Sequence, residues 1–164
     1  MDVTTERLTL HPLTRDEAVA RAAADIPAEE RWGTGYPVVD QRSALTSFVE
    51  MWDEVGDTRP FGVYDVCERE TGDQVGGVAF FGPPSKDGVV EFGYGLVPGA
   101  RGRGYAKEAV SEALRIAREA GARTVKATTT PDNIASQAVM LRAGMREVRR
   151  AGRLVYFQID FDRA

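Results

Sequence analysis

The sequence predicts an α/β (α+β) fold, with a mixed, mostly antiparallel sheet of about seven strands and four helices on its two faces. Three observations support this prediction. Turn-forming residues divide the segment from about 61 to 97 into three short apolar runs, which is typical of antiparallel hairpins. A clear helical repeat follows, and a β-branched strand comes directly after it, as in a β-α-β unit. A chain of 164 residues suits one core, so a single domain over 1–164 is expected.

The N-terminal part begins with a strand and a helix. Leu8-Thr9-Leu10-His11 alternates apolar and polar residues, which predicts a short strand. Thr14 and Glu17 have the spacing of a capping box, so a helix is expected to begin there and to run through about Ala24. Residues 29–40 are rich in glycine, proline and aromatic residues and are expected to form an irregular loop. A second helix with an apolar stripe is predicted over about 43–55.

The remaining elements follow in a regular order. Ala106 to Ala117 repeats small and apolar residues at helical spacing, and Gly121 stands where a C-terminal cap is expected. Asp132 or Asn133 is the predicted cap of a last helix that ends at Gly144. Strands are predicted at about 61–67, 74–81, 88–97, 124–130, 145–150 and 153–161.

Composition excludes several classes of protein. The formal charge of −4 argues against a general nucleic-acid binder and fits a cationic substrate such as an amine. Cys67 and His11 are the sole cysteine and histidine, so a disulfide is excluded and no metal site is expected. The sequence has no signal-peptide pattern and no apolar run long enough to cross a membrane. A cytoplasmic location is therefore expected.

The turn after the strand at about 88–97 has the sequence Arg101-Gly102-Arg103-Gly104-Tyr105-Ala106. A helix N-terminus carries unpaired amides and positive potential, and glycines let a phosphate approach the main chain. Arg101 and Arg103 add charge. The turn is therefore predicted to bind an anion, and the alternative is a basic connection between a strand and a helix.

Two common phosphate motifs do not match this turn. A Walker A loop needs Gly-Lys-Ser/Thr, which is absent. A dinucleotide fingerprint needs a third glycine, and Lys107 occupies that position. A nucleotide P-loop and a nicotinamide-binding fold are both disfavoured.

Three ordered blocks resemble one family. Arg101-x-x-Gly104-x-Ala106 matches the Arg/Gln-x-x-Gly-x-Gly/Ala signature of the GNAT N-acetyltransferase superfamily. The wider run from Glu91 to Ala109 is similar to the RimJ/RimL branch, the ribosomal-protein-alanine N-acetyltransferases and their relatives. The pattern Asn133-x-x-Ser136-x-x-Val139 with Gly144-Met145, and the opening Thr5-Glu6-Arg7-Leu8, resemble the same branch.

The resemblance implies acetyl-CoA as the acyl donor and co-substrate. It implies that the diphosphate is bound by the main chain of Arg101, Gly102, Arg103, Gly104, Tyr105 and Ala106. It also implies that Leu96 and Val97 pair through their main chain with the pantetheine arm, as an added strand would. In the family, the fourth and fifth of the predicted strands splay apart and open a cleft for the thioester.

Glu91 is the candidate catalytic base. In an extended strand it shares one face with Gly93 and Gly95, which leave room for a ligand or a water. The resemblance implies that a glutamate here acts through water. The alternative is a solvated or ion-paired strand carboxylate.

The last helix supplies the other candidates. Asn133, Ser136 and Met140 have the spacing of one helix face. Asn133 is either an N-cap or, by resemblance, a ligand of the pantetheine arm. Ser136 is the candidate proton donor to the departing sulfur, because Met140 stands where many relatives have an acidic tyrosine. The alternative is that no acid is needed.

The predicted function is transfer of an acetyl group to a primary amine, by direct attack in a ternary complex. The amine is a protein N-terminus or a small molecule, and Trp32 and Tyr36 are candidate acceptor-binding residues. The alternatives are a non-catalytic CoA-binding sensor or scaffold module and a transferase for another acyl group. A monomer or homodimer is expected, without nucleic acid or membrane as partner.

Overall fold

The computed structural model describes residues 1–23 and 39–162. In these residues the strands are β1 Val3–Thr4, β2 Leu8–Pro12, β3 Val63–Glu68, β4 Gln74–Phe80, β5 Val89–Leu96, β6 Thr124–Thr129, β7 Arg146–Ala151 and β8 Leu154–Asp160. The helices are α1 Arg15–Ala22, α2 Val39–Val55, α3 Tyr105–Glu119 and α4 Ile134–Arg142, with one 3₁₀ turn at Pro98–Ala100.

All eight strands of the described chain form one sheet in the order β1-β2-β3-β4-β5-β6-β8-β7. Every neighbouring pair is antiparallel except β5 and β6, which run parallel. The parallel pair is connected through α3, as a crossover connection requires. The predicted mixed, mostly antiparallel fold is confirmed, with one strand more than expected, since the two-residue β1 carries no alternation of its own.

Apolar residues cover both faces of the sheet. Alternate residues of one strand point to opposite faces, so Val63 joins one core cluster and Tyr64 the other. The larger cluster packs under α3 and α4 and includes Val110, Leu114 and Met140. The smaller cluster, on the opposite face, packs under α1 and α2 and comprises Leu13, Ala18, Leu45, Phe48, Val63 and Ala79. Helices on two faces of one sheet agree with the predicted arrangement.

The predicted start of α1 is confirmed in detail. The Thr14 side chain accepts from the amide of Glu17, and the Glu17 carboxylate accepts from the Thr14 amide at 2.7 Å. This reciprocal bonding satisfies two donors that the first turn leaves free. The helix ends at Ala22, about two residues earlier than the pattern predicts, and α2 begins at Val39, about four residues earlier.

The expected splaying of the two central strands is also confirmed. β5 and β6 pair over only three residues, the last of them Glu91 with Lys126. Beyond that point β5 continues against β4 as far as Leu96, and β6 continues against β8 as far as Thr129. Each strand keeps its outer partner while the two separate from each other, so a cleft opens in the middle of the sheet.

The junction of β2 and α1 holds a histidine between two carboxylates. His11 Nδ1 lies 2.7 Å from Asp2 Oδ1, and its Nε2 lies 3.1 Å from Glu17 Oε1. Partial burial by itself lowers the pKa of His11, but its hydrogen bonds to Asp2 and Glu17 outweigh burial and raise the pKa above its ordinary value of 6.5. A raised folded-state pKa stabilises the fold below the unfolded pKa and loses that effect as pH rises through the folded pKa.

We therefore expect the free energy of unfolding at about pH 6 to be larger for the wild type than for His11→Gln. This difference between the two proteins should shrink by about pH 8.5. Urea denaturation at both pH values measures this. Asp2→Asn serves as a partial control, because it removes one of the two carboxylates. A difference between wild type and His11→Gln that grows with pH would contradict the assignment.

Candidate active site

A cavity with a volume of about 910 Å³ lies in the cleft between β5 and β6. Its floor and walls come from the ends of both strands, the glycine turn, the start of α3 and one face of α4. Such a volume lies at the upper end of the range for small-molecule sites. Most of the residues predicted for the cofactor line this cavity, and Val97 and Arg103 are absent from its lining.

The edge of β5 that faces this cleft offers free main-chain groups. The Glu91 carbonyl accepts from the Phe81 amide at 2.9 Å, and the Val97 amide donates to the Val75 carbonyl at 2.9 Å. The amide and carbonyl of one strand residue point to the same side, so this set of residues bonds β4. The alternate set, which includes Tyr94 and Leu96, points its main chain towards the cleft.

Leu96 and Val97, predicted together, differ in this respect. The Val97 amide is bonded to Val75, and its carbonyl accepts from Ala100 at 3.0 Å. Both main-chain groups of Val97 are thus used within the protein, which corrects the expectation for that residue. The Leu96 carbonyl faces the cleft and accepts from Arg101 Nε at 3.1 Å.

The glycine turn presents a row of open amides. Gly102 and Gly104 have φ of 77° and 81°, which side chains with a Cβ rarely adopt. The first helical hydrogen bond runs from the Glu108 amide to the Gly104 carbonyl at 3.2 Å. Within the described chain, no backbone hydrogen bond engages the amides of residues 102–107. Unpaired amides at a helix N-terminus suit a phosphate or diphosphate.

The side chains of Arg103 and Tyr105 point away from this row. Arg103 Nη2 donates to Glu68 Oε1 at 2.7 Å, and the Tyr105 hydroxyl donates to the same oxygen. The Arg103 guanidinium also lies 4.7 Å from the centroid of the Tyr105 ring. The expectation that the Arg103 charge faces the anion is therefore not met, because the buried Glu68 carboxylate holds it.

Arg7 holds the turn from the other side. Its guanidinium lies 4.6 Å from the centroid of the Tyr105 ring, so the ring is enclosed by two arginines. Arg7 Nη1 donates to the Arg103 carbonyl at 2.7 Å, and Arg7 Nε donates to Glu108 Oε2 at 2.8 Å. These contacts attach β2 to the turn and to the first turn of α3. Because the contacts connect residues about a hundred positions apart, the sequence pattern does not reveal them.

Two further cations line the cleft. Lys107, which excluded the dinucleotide fingerprint, follows the open amides at the start of α3. Arg142 lines the cleft from the end of α4. With Arg101 they place three positive side chains on one cavity, which favours a ligand with several phosphates. Lys107 was not predicted as a site residue, although its place in the first helical turn was a usable signal.

Glu91 lies where the pairing of β5 and β6 ends, and its side chain is exposed. The register of β5 with β4 is continuous from Phe92 to Leu96, so Glu91 shares a face with Gly93 and Gly95, as expected. It is not among the residues that line the cleft, and no group of the described residues forms an ion pair with its carboxylate. The Phe81 ring stands over Gly93, on the face of β5 that Glu91 shares.

The candidates on α4 do face the cleft. Asn133 caps the helix, because its side-chain oxygen accepts from the Ser136 amide at 3.1 Å. This leaves the Asn133 amide nitrogen directed to no partner within the described chain, so capping and ligand binding are compatible. Ser136 Oγ lies 2.8 Å from the Tyr94 hydroxyl. Met140 is fully buried in the core and has no proton to donate.

Tyr94 was missed by the sequence prediction. Its ring stacks on Phe92 at a centroid distance of 6.3 Å, and burial raises the pKa of its hydroxyl. The signal available in the sequence was its position two residues from Phe92, which places both rings on the same face of β5. Trp32 and Tyr36, the predicted acceptor-binding residues, lie outside the described residues.

The residues that the structure describes contain neither a metal-binding cluster nor a membrane-spanning helix. No group of three or more His, Cys, Asp or Glu side chains lies close enough to hold a metal ion. None of the helices in this part of the chain has the length and apolar character needed to cross a membrane.

The sequence and the fold both resemble those of known acetyltransferases. Residues 7–146 match the acetyltransferase (GNAT) domain family. The uncharacterised N-acetyltransferase YjdG of Bacillus subtilis is 27% identical over 111 residues. These residues cover 66% of this chain and 66% of that relative, so the match spans just under two thirds of the relative's length. An acetyltransferase structure from Agrobacterium tumefaciens is 25% identical, with a TM-score of 0.68 over 98% of this chain and 95% of that one.

One solved structure with a bound ligand shares the fold. RimL, a ribosomal L7/L12 α-N-protein acetyltransferase in complex with coenzyme A, is 13% identical, with a TM-score of 0.71 over 99% of both chains. Identity at this level shows the common fold. The matched domain covers most of the sequence, so this chain belongs to the GNAT acetyltransferase family.

Proposed function

We propose that the protein is an acetyl-CoA-dependent N-acetyltransferase that acts on a primary amine. The observation that carries the proposal is the row of open amides at residues 102–107. They share one cavity with the cleft-facing edge of β5 and with the cationic residues Arg101, Lys107 and Arg142. When bound, acetyl-CoA supplies a thioester-activated acetyl group. The groups in the cleft fit acetyl-CoA. One end offers main-chain amides and cations for the phosphates, and the other offers main-chain groups of β5 for the amides of the pantetheine arm.

Each part of the cleft has a proposed task. The amides of Gly102, Gly104 and Ala106 bind the diphosphate, with Lys107 and Arg142 adding charge. The free edge of β5, which includes Leu96, orients the pantetheine arm, and the Asn133 amide nitrogen donates to it. When the Leu96 carbonyl pairs with the pantetheine arm, the Arg101 side chain gives up its hydrogen bond to that carbonyl.

Two side chains are proposed to handle protons. The exposed Glu91 carboxylate takes a proton from the incoming ammonium through an intervening water, which suits its place where β5 and β6 separate. As the new C–N bond forms and the C–S bond breaks, the Ser136 hydroxyl gives its proton to the CoA sulfur and takes up the second proton that the attacking nitrogen loses. A positioned acid or base of this kind contributes about a hundredfold or more to a rate.

The acceptor is proposed to be a protein N-terminus or a small amine. The name of the L7/L12 α-N-protein acetyltransferase supports the first, and the acidic composition of this chain suits both. We propose that the enzyme acts in the cytoplasm as a monomer or homodimer.

A thiol-release assay with acetyl-CoA tests the function. The acceptor panel contains N-terminal peptides and small primary amines, and isothermal titration with coenzyme A runs in parallel. Acetylation of at least one acceptor is expected. Tight binding of coenzyme A without acetylation of any acceptor would favour a CoA-binding sensor or scaffold module. Turnover with a longer acyl-CoA alone would indicate a different acyl specificity.

We expect Glu91→Gln and Ser136→Ala each to lower kcat by about tenfold or more, while the affinity for coenzyme A changes little. The reason is that both groups act on protons and neither is proposed to bind the cofactor. Glu119→Gln, an exposed change at the far end of α3, is the matched control. Unchanged kcat in Ser136→Ala with every acceptor would remove Ser136 from the mechanism, and the same test applies to Glu91.

A further inference from the structure

The hydroxyl pair of Tyr94 and Ser136 bridges the cleft. The two residues are 42 positions apart, one on β5 and one in the first turn of α4, and their side-chain oxygens lie 2.8 Å apart. The bridge stands where β5 has left β6, on the cleft face of α4. No role for Tyr94 follows from cofactor binding alone.

We propose that Tyr94 is a positioning residue for Ser136. Its phenolic O–H donates to Ser136 Oγ and leaves the proton of the serine free to point into the cleft. This inference rests on the proposed function, because it assigns a purpose to the proton of Ser136.

The direction of the hydrogen bond follows from acidity. A phenol is a stronger acid than an aliphatic alcohol, so the phenol donates and the serine oxygen accepts. The Ser136 carbonyl lies 3.4 Å from the Tyr94 hydroxyl, which is beyond good hydrogen-bond distance. Ser136 Oγ is therefore the acceptor, and the single proton of the serine needs another direction.

The ring of Tyr94 is held firmly enough to act in this way. It stacks on Phe92 and packs against the larger core cluster. Burial raises the pKa of Tyr94, which keeps its proton in place throughout neutral pH. A serine side chain has three staggered positions, and a fixed donor selects one of them. Selection before the reaction removes an ordering cost from the reactive step.

The double-mutant cycle of Tyr94→Phe and Ser136→Ala tests this proposal. Tyr94→Phe keeps the stacked ring and removes only the hydroxyl. We expect it to lower kcat by about tenfold, with KM for acetyl-CoA nearly unchanged. The double variant should be no slower than Ser136→Ala, since the tyrosine acts through the serine. Ser136→Thr should retain most of the rate, because it keeps the hydroxyl.

A second measurement does not depend on turnover. The Tyr94 phenol is titrated by nuclear magnetic resonance of ring-labelled tyrosine in the free protein. Once the phenol ionises, its oxygen accepts a hydrogen bond from the Ser136 O–H, and this lowers the pKa of Tyr94 against the effect of burial. Ser136→Ala removes that donor and should raise the pKa of Tyr94 further. Tyr156 is a half-buried tyrosine of β8 outside the cleft, so Tyr156→Phe is the matched control for the loss of a hydroxyl in Tyr94→Phe.

The outcomes separate the two proposals. If the wild type acetylates an acceptor and Tyr94→Phe matches its kcat, the inference is overturned and the proposed function stands. Additive losses in the double variant, or no change in the Tyr94 pKa on Ser136→Ala, also overturn it. If the wild type acetylates no acceptor, the proposed function fails and this inference fails with it.

Discussion

Replacing Gly104 with alanine is expected to weaken the binding of coenzyme A by about tenfold, because the open amides then lose their shape. Gly104 has φ of 81°, and a side chain in that conformation costs about 1–2 kcal/mol. The added Cβ would also lie 3.1 Å from Arg7 Nη2, the guanidinium that holds the turn. Whether the turn becomes strained or is displaced, the amides of residues 102–107 change position. Isothermal titration with coenzyme A measures the loss.

Gly121→Ala is the matched control for this change. Gly121 has φ of 92°, and nothing lies within 4 Å of the Cβ that alanine would add. The backbone penalty is similar, but the residue follows α3 at the end away from the cleft. Both variants should melt at lower temperature, and only Gly104→Ala should lose affinity. Equal affinities of Gly104→Ala and wild type would show that the turn does not bind the diphosphate.

Replacing Glu68 with alanine is expected to destabilise the protein by about 2–3 kcal/mol, or about 5–10 °C in Tm. The carboxylate is buried and accepts from Thr71 Oγ1 at 2.8 Å, from Arg103 Nη2 at 2.7 Å and from the Tyr105 hydroxyl. The Tyr105 hydroxyl is buried and loses its acceptor in the variant. Binding of coenzyme A should weaken as well, since Tyr105 begins α3 and its ring stacks on two arginines beneath the turn.

The effect of Glu68 depends on pH in a defined direction. The hydrogen bond from Tyr105, followed by that from Thr71, lowers the pKa of Glu68 below its ordinary value of 4.5. A lowered folded-state pKa stabilises the fold above the unfolded pKa and loses that effect as pH falls through the folded pKa. The difference in stability between wild type and Glu68→Ala should therefore narrow below about pH 4.5.

Two variants control for the Glu68 result. Glu68→Gln keeps an oxygen that accepts from Tyr105 but removes the charge, so it should fall between wild type and Glu68→Ala. Glu147→Ala removes a carboxylate that pairs with Arg150 on the exposed strand β7, and little change in Tm is expected. If Glu68→Ala melts at the temperature of Glu147→Ala, the buried carboxylate does not hold the turn together.

The elements of the fold were largely predictable because their signals are local. Thr14 and Glu17 marked the start of α1, and the apolar spacing from Ala106 to Ala117 marked α3. The glycine turn was located correctly for a similar reason, since positive φ favours glycine regardless of the rest of the chain. The ends of elements were less accurate, because α2 gains helical residues before Ser43 that no capping signal indicates.

The direction of each side chain in the cleft depended on the tertiary structure. Arg103 was expected to face the anion, but β3 brings the buried Glu68 to the other side of the turn and draws the guanidinium away. Val97 was expected to offer its main chain, but its place in the register gives that amide to Val75. In both cases a partner distant in sequence decided the outcome.

The sequence by itself therefore determined the family, the order of the elements and the position of the glycine turn, since these depend on local spacing and on main-chain geometry. The tertiary structure alone decided that Arg7 holds this turn and that Tyr94 meets Ser136 across the cleft. The physical reason is strand register and helix packing. They fix which side chains meet across 42 residues of chain for Tyr94 and Ser136 and across 96 residues for Arg7 and Arg103, and a shift of one residue would turn each strand side chain to the opposite face.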